Sequence, residues 1–447
     1  MFSTTDTIVA IATPPGRGGI GVVRLSGPSA TAIGGALSGR PTLEPRHATL
    51  VTLTAADGTR IDRAIVTAFP APHSYTGEDV VEMSVHGSPA VLDAIVRCAI
   101  ARGARLAHPG EFTLRAYLHG RMDLVQAEAV ADLIDAVTPL QARVAFDQLD
   151  GTLTARLRDI DDALLDVIAR LEASLDFPDE GYHFISDDDA VRGLARIQNL
   201  VETLMAESAR GRVIREGVSA AIVGRPNVGK SSLFNRLAGA ARAIVTDLPG
   251  TTRDLLTERI DIGGVPFTIV DTAGLRPTAG DIIEEEGIAR ARQAGAAADL
   301  TIVVLDLSQP LNDEDAALLR DTPAAKRVIV ASKSDLVPAW RADDLGALPL
   351  SSLTDEGIGA LREALARAAG IAELRDRASI ANVRHLALLG DVRAALAGAI
   401  DAARQGLPEE FVLADLHRAR GCLDEITGLR APDEVLQAIF ARFCIGK

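Results

Sequence analysis

The stretch VSAAIVGRPNVGKSSLFNRLAG, Val218 to Gly239, constrains this chain more than any other. An apolar, β-branched run reads as a buried strand. Gly224 ends it, and Gly229, Lys230 and Ser231 follow at the spacing GxxxxGKS before an amphipathic helix. The glycines let backbone N–H groups curl around a polyphosphate, and the helix N-terminus faces it with its positive dipole end. Lys230 can reach the outer phosphates, and the Ser231 hydroxyl can ligate Mg²⁺. From about residue 217 to about 370 the pattern continues as strand, loop, helix, strand, helix, which predicts a parallel sheet with helices on its faces.

Four further segments turn a phosphate loop into a guanine-nucleotide site. DLPGTTRD offers Thr252 as a second Mg²⁺ hydroxyl, within a switch loop Thr246, Asp247, Leu248, Pro249, Gly250, Thr251, Thr252. FTIVDTAG is a strand ending in Asp271, placed to hold the metal's water shell. Thr272, Ala273 and Gly274 follow it and turn toward the γ-phosphate. KRVIVASKSD ends in Ser332, Lys333, Ser334 and Asp335. An aspartate there accepts guanine N1–H and the exocyclic amine, which adenine cannot offer. PLSSL, with Ser351, Ser352 and Leu353, closes over the base, while Asn227, Val228, Gly229, Lys230, Ser231 and Ser232 line the phosphates. The order and spacing of the five define a GTPase domain.

Two positions depart from the usual pattern. Ser332 stands where GTPases carry asparagine or threonine, and so short a side chain is expected to lose a contact to the base or the phosphate loop. Leu275 stands where Ras-like GTPases orient the attacking water with glutamine. Downstream, GDIIEEEGIAR opens a helix with Glu284, Glu285 and Glu286; for two of these, a favourable position on the helix dipole is explanation enough.

Around this segment the texture differs. Residues 1–120 alternate short β-branched runs (TIVAIAT, GIGVVRLSG, RAIVTAFP, DVVEMSVHG) with turns and add the helix PAVLDAIVRCAIARGA, an α+β pattern. Residues 121–215 carry apolar residues at three- and four-residue spacing and predict one long helical stretch, broken at PDEGYHFISDDD. Residues 216–373 are the α/β segment, and 374–447 are helical again. The simplest architecture is multidomain: an N-terminal α+β domain, then an all-α domain interrupted by an inserted α/β P-loop (Ras-like) G domain.

Net charge is −15 and only 3% of residues are aromatic, so broad electrostatic or stacking recognition of nucleic acid is excluded; RNA contact must be local or come through a partner. The three cysteines, Cys98, Cys422 and Cys444, form no CxxC pair and fit a reducing compartment. No apolar run approaches a membrane span and no secretory signal opens the chain, so a soluble cytoplasmic protein is expected. Gly16, Gly18 and Gly21 form a GxGxxG, but VVRLSG after it reads as strand, not the helix a dinucleotide fingerprint needs. Arg17 and Arg24 beside it remain able to meet a small anion. His73, His86 and His108 lack ligand spacing.

GRPNVGKSS, TDLPGTTRD and DTAGLR, together with ATPPGRGGIG, SYTGEDVVE, HPGEFTLRAYLHGRMDLVQAEAVADLI and the final FCIGK, resemble the MnmE (TrmE) family of tRNA modification GTPases, of the TrmE–Era–EngA type. The resemblance covers essentially the whole chain. It implies a K⁺-dependent GTPase that acts with the flavoprotein MnmG, which uses FAD and NADH, as a heterotetramer. The product is an aminomethyl or carboxymethylaminomethyl group at C5 of the tRNA wobble uridine, its carbon drawn from 5,10-methylene- or 5-formyl-tetrahydrofolate. The N-terminal domain is then the folate-binding and homodimerisation domain, and G domains pair in the transition state. Carried over by motif, Asn227, Thr246, Leu248 and Thr251 hold K⁺, Ser231 and Thr252 hold Mg²⁺, and Glu284 is the general base. K⁺ would stand where an arginine finger's charge otherwise goes. Folate contacts fall on Arg24, Glu82, Arg121 and Lys447, with arginine at 121 where many relatives have lysine.

Cys444 in CIGK is a poor prenylation site, since lysine is not a usual last residue for that signal. The resemblance places it beside the one-carbon chemistry instead. Two rival readings have less behind them. A regulatory GTPase switch of the ribosome-assembly kind would add a basic RNA-binding module, and a helical adaptor would not need five nucleotide motifs.

Overall fold

The structure, a computed structural model, describes residues 5–176, 185–240, 256–271, 298–371 and 382–447. It divides into two compact units: Met1–Ala131 with Leu149–Val191 and Gly398–Lys447, and Asp132–Gln148 with Arg192–Ala397.

In the first unit, strands β1 (Ile8–Ile11), β2 (Gly18–Ser26), β3 (Thr49–Thr54), β4 (Arg60–Phe69), β5 (Val80–Gly87) and β6 (Arg105–Leu106) form one sheet in the order β3-β4-β5-β2-β1-β6. Neighbours run antiparallel except β1 and β6. Period-two alternation sends Val23, Leu25, Val81, Met83 and Val85 to one face, where helices α1 (Ala30–Ser38) and α2 (Pro89–Ile100) cover them with Ile33, Leu37, Leu92 and Ile95. Arg24 and Glu82 are direct cross-strand partners and therefore project from the other face. The segment after Gly21 is strand, as its β-branched residues predict. Helix α3 (Glu111–Leu118) follows β6.

The helical stretch expected as one piece is three helices: α4 (Leu124–Asp135), α5 (Pro139–Leu149) and α6 (Thr152–Asp176). Proline tolerates only a helix's first turn, so Pro139 starts a new one, and Gly151 with φ 92° breaks the chain before α6. Helix α6 packs on the helix Glu409–Thr427, with Arg420 Nε 3.2 Å from Asp161 and His417 Nε2 3.3 Å from Glu172.

In the second unit, α7 (Asp187–Glu216), which belongs to it from Arg192 on, runs into β7 (Val218–Val223), then come α8 (Lys230–Ala240), β8 (Leu256–Ile262), β9 (Val265–Asp271), β10 (Leu300–Asp306), β11 (Arg327–Ser332) and β12 (Leu348–Leu350). Sheet order is β12-β11-β10-β7-β9-β8, parallel throughout except the β8–β9 hairpin. Every residue of β10 is buried, as expected for a parallel strand covered on both faces. Ile222, Phe267, Val304, Val330 and Leu361 anchor the core, and Val144 of α5 belongs to it.

Candidate functional site

The phosphate loop leaves the carboxyl end of β7, between β9 and β10 in the sheet, where ligands of open α/β sheets bind. A Cβ on Gly224 would stand 2.5 Å from the Val304 carbonyl oxygen, so only glycine lets the loop cross β10 there. Asn227 has φ 62° and Gly229 φ 101°, positive values of the kind that turn backbone N–H groups inward in a phosphate-binding loop. Lys230, 8% exposed, donates from Nζ to Gly224 O at 2.8 Å and Arg225 O at 2.7 Å. Burial pushes its ammonium below the usual lysine value, and the nearby Asp271 charge offsets part of this. Ser231 and Ser232 are exposed in the first turn of α8, and Asp271 ends β9, fully buried.

The segment expected to read the base follows β11. Ser332 Oγ donates to Val228 O at 2.6 Å and approaches Leu305 O at 3.0 Å. The expectation that serine is too short to reach the phosphate loop is therefore corrected. β11 and the loop come close enough that a Cβ on Gly229 would meet the Ser332 Cβ at 3.9 Å, so one hydroxyl spans the gap. Lys333, at φ 60°, donates to Asp306 Oδ2 at 2.6 Å. Burial opposes the Asp306 charge, but hydrogen bonds from Lys333 and Ser308 outweigh it and hold the carboxyl below its usual range. Ser351 Oγ donates to Asp335 Oδ1 at 2.6 Å and accepts N–H from Leu353 and Thr354, which joins the last two motifs. Ser334 N–H donates to Leu350 O at 3.1 Å. Thr246, Asp247, Leu248, Pro249, Gly250, Thr251, Thr252, Thr272, Ala273, Gly274 and Glu284 lie outside the described residues.

A second cluster forms in the first unit. Arg24 Nε donates to Glu82 Oε1 at 2.8 Å, and the guanidinium lies over the rings of Tyr75 (5.2 Å to the centroid) and Phe112 (5.7 Å). The segment Phe443–Lys447 threads in beside it. Pro109 pairs with Ile445, Phe112 N–H donates to Lys447 O at 3.1 Å, and Arg24 donates to Gly446 O at 3.4 Å. Burial, reinforced by the Arg24 charge, pushes the Lys447 ammonium below its usual value, against Glu82 and Cys444. Arg24, Glu82 and Lys447 are thus brought together. Arg121, exposed, instead flanks the loop holding Tyr75, 3.4 Å from where a Cβ on Gly77 would be. Cys444 is exposed, and its carbonyl accepts Gly110 N–H. His73, His86 and His108 are exposed, and His86 Nδ1 lies 2.8 Å from Asp62.

Sequence reasoning missed what holds these groups. Arg115, 1% exposed, donates to Asp6, Glu78 and Glu111, while Arg105 donates to Asp6 and Glu111. The cluster fixes the Tyr75 loop and α3, which carries Phe112. Hydrogen bonds from Arg105 and Arg115 hold Asp6 below its usual value, and the same partners outweigh burial at Glu111. A charged residue in a helical pattern reads as solvated, so nothing local flags Arg115.

A phosphate loop at the carboxyl end of a central parallel strand, with an aspartate-ended segment on the next-but-one strand, defines a P-loop G domain. Residues 7–121 match the family described as GTP-binding protein TrmE N-terminus, and 124–444 match the MnmE helical domain. The chain is 45% identical over 451 residues to the tRNA modification GTPase MnmE of Koribacter versatilis, covering 99% of each. It is 44% identical over 453 residues to that of Laribacter hongkongensis, covering 100% of each. Among solved structures, the G domain of the T. maritima FeoB iron transporter is 28% identical, covering 34% of this chain and 98% of that one, at TM-score 0.27. This chain belongs to the MnmE family of tRNA modification GTPases.

Proposed function

We propose that this chain hydrolyses GTP in the modification of tRNA, acting on the wobble uridine with a flavoprotein partner of the MnmG kind. The observation that carries the reading is the joined nucleotide site: phosphate loop, Ser332 and Asp335 tied through Val228 O and Ser351 within a chain alike to its relatives from end to end. Gly224, Gly229 and Lys230 form a cradle suited to phosphates. Ser231 and Thr252 would hold Mg²⁺, and Asn227, Thr246, Leu248 and Thr251 would hold K⁺. When bound, the two cations supply positive charge against the charge that develops on the phosphates. Asp335 reads guanine, and Glu284 orients the attacking water.

Arg24 and Lys447 would supply cations for a tetrahydrofolate and Glu82 an acceptor for its N–H edge, with Arg121 a further cation beside the Tyr75 loop. Residues 1–120 would be the folate and homodimerisation domain, 121–215 and 374–447 the helical domain, and 216–373 the inserted G domain, in a cytoplasmic heterotetramer. Among the described residues, no helix is long and apolar enough to cross a membrane.

The test is GTP hydrolysis in KCl and in NaCl at equal ionic strength, with Glu284→Ala alongside. Strong stimulation by K⁺ that the variant abolishes is expected. Equal rates in both salts would remove the K⁺ and Glu284 assignments. Unmodified wobble uridine in a deletion strain supports the modification role, whereas normal tRNA with aberrant ribosomal particles would favour a regulatory switch.

A further inference from the structure

Between β10 and the helix Asp313–Asp321 runs a short connection that carries no nucleotide motif. Its ends are fastened to both halves of the site. At its start, buried Asp306 accepts Lys333 Nζ, its carbonyl accepts Trp340 Nε1 at 2.9 Å, and Leu307 N–H donates to Ser332 O at 2.9 Å. At its far end, Asp315 is fully buried and Oδ1 accepts Arg225 Nε at 2.8 Å. Arg225 lies inside the phosphate loop, and its carbonyl is one of the two that hold Lys230.

Asp315 also completes a capping box. Its Oδ2 accepts Asn312 N–H at 3.2 Å, while Asn312 Oδ1 accepts the N–H groups of Glu314 and Asp315. A capping box needs no cation. A neutral side chain at 315 could close it without the desolvation cost of a buried charge. The guanidinium is therefore what makes a carboxylate worth burying here. It reaches across 90 residues of sequence to tie the loop to a helix that carries no nucleotide motif of its own.

We propose that Arg225 and Asp315 are positioning residues of the nucleotide site. Their pair sets the first turn of the phosphate loop, and the same connection, through Asp306 and Lys333, braces the base-reading end. The inference rests on the guanine-nucleotide reading of that site. Binding of a fluorescent GDP to the full chain separates the two. Arg225→Gln and Asp315→Asn should each weaken binding about tenfold, and the double variant should bind no worse than the weaker single. Asn keeps the cap with its Oδ1 but turns its NH₂ toward the guanidinium, so the melting temperature without nucleotide should fall somewhat, and binding is read well below that transition. If the parent binds GDP and the single variants bind equally well, or if their losses simply multiply, the positioning role is overturned. A lower melting temperature with unchanged affinity would likewise leave only a structural pair. If the parent itself fails to bind GDP, the nucleotide reading falls first.

Discussion

Ser332 has one proton and two acceptors in reach, Val228 O and Leu305 O, and it sits 4% exposed between them. Replacing it with alanine takes that donor from the Val228 carbonyl, in a place where water cannot easily substitute, at a cost of about 1–3 kcal/mol. Ser332→Ala should therefore weaken GDP binding by roughly 5- to 100-fold. Selectivity for guanine over adenine should survive if Asp335 reads the base as proposed. Titration with GDP and ADP checks both halves; unchanged GDP affinity would mean the bridge is idle. The phosphate loop was legible because backbone geometry demands glycine at fixed places, and that demand is written locally. Arg225, in the same motif, was not legible. Its partner lies in another element, and spacing along the chain says nothing about which carboxylate folding delivers.

At the level of elements, strands with strict alternation and helices with sustained 3.6-residue periodicity could be read directly. β2, β4, β5 and α2 are of this kind. α1 has a glycine pair in its centre and α3 is two turns long, so neither shows enough pattern to register. The closing segment was harder still, since its conformation is imposed by the strand it packs on. Gly446 has φ 100°, and a Cβ there would stand 2.2 Å from Ile11 O, a backbone atom that cannot swing aside. Gly446→Ala should consequently undock Cys444–Lys447 and take Lys447 away from Arg24. Tetrahydrofolate binding is expected to fall at least about tenfold, with GDP affinity unaffected, since strain of this sort costs about 1–3 kcal/mol before the clash is counted. Retained folate binding in that variant would show that the segment is not part of the pocket.

Across the whole chain, texture changes mark where one pattern yields to another, but packing allegiance does not follow them. Helix α5 reads as a continuation of the helical stretch, yet residues 132–148 pack with the G-domain sheet. Thr138 Oγ1 donates to Gly264 O at 2.6 Å, Leu140 closes over Gly264, Gln141 Nε2 donates to Arg215 O at 3.0 Å, and Val144 enters the core. A helical period says that a face is apolar without saying which sheet or helix covers it. The consequence is thermodynamic. GDP binds only the folded G domain and so raises the melting transition of the unit that contains it. Val144→Ala removes buried methyl groups from that unit, a loss of about 1–3 kcal/mol. Calorimetry should show the GDP-shifted transition falling by several degrees, at roughly 2–4 °C per kcal/mol for a unit of this size. The other transition should hold still. Should Val144→Ala lower the GDP-insensitive transition instead, α5 would belong to the first unit, and the second would be held together without it.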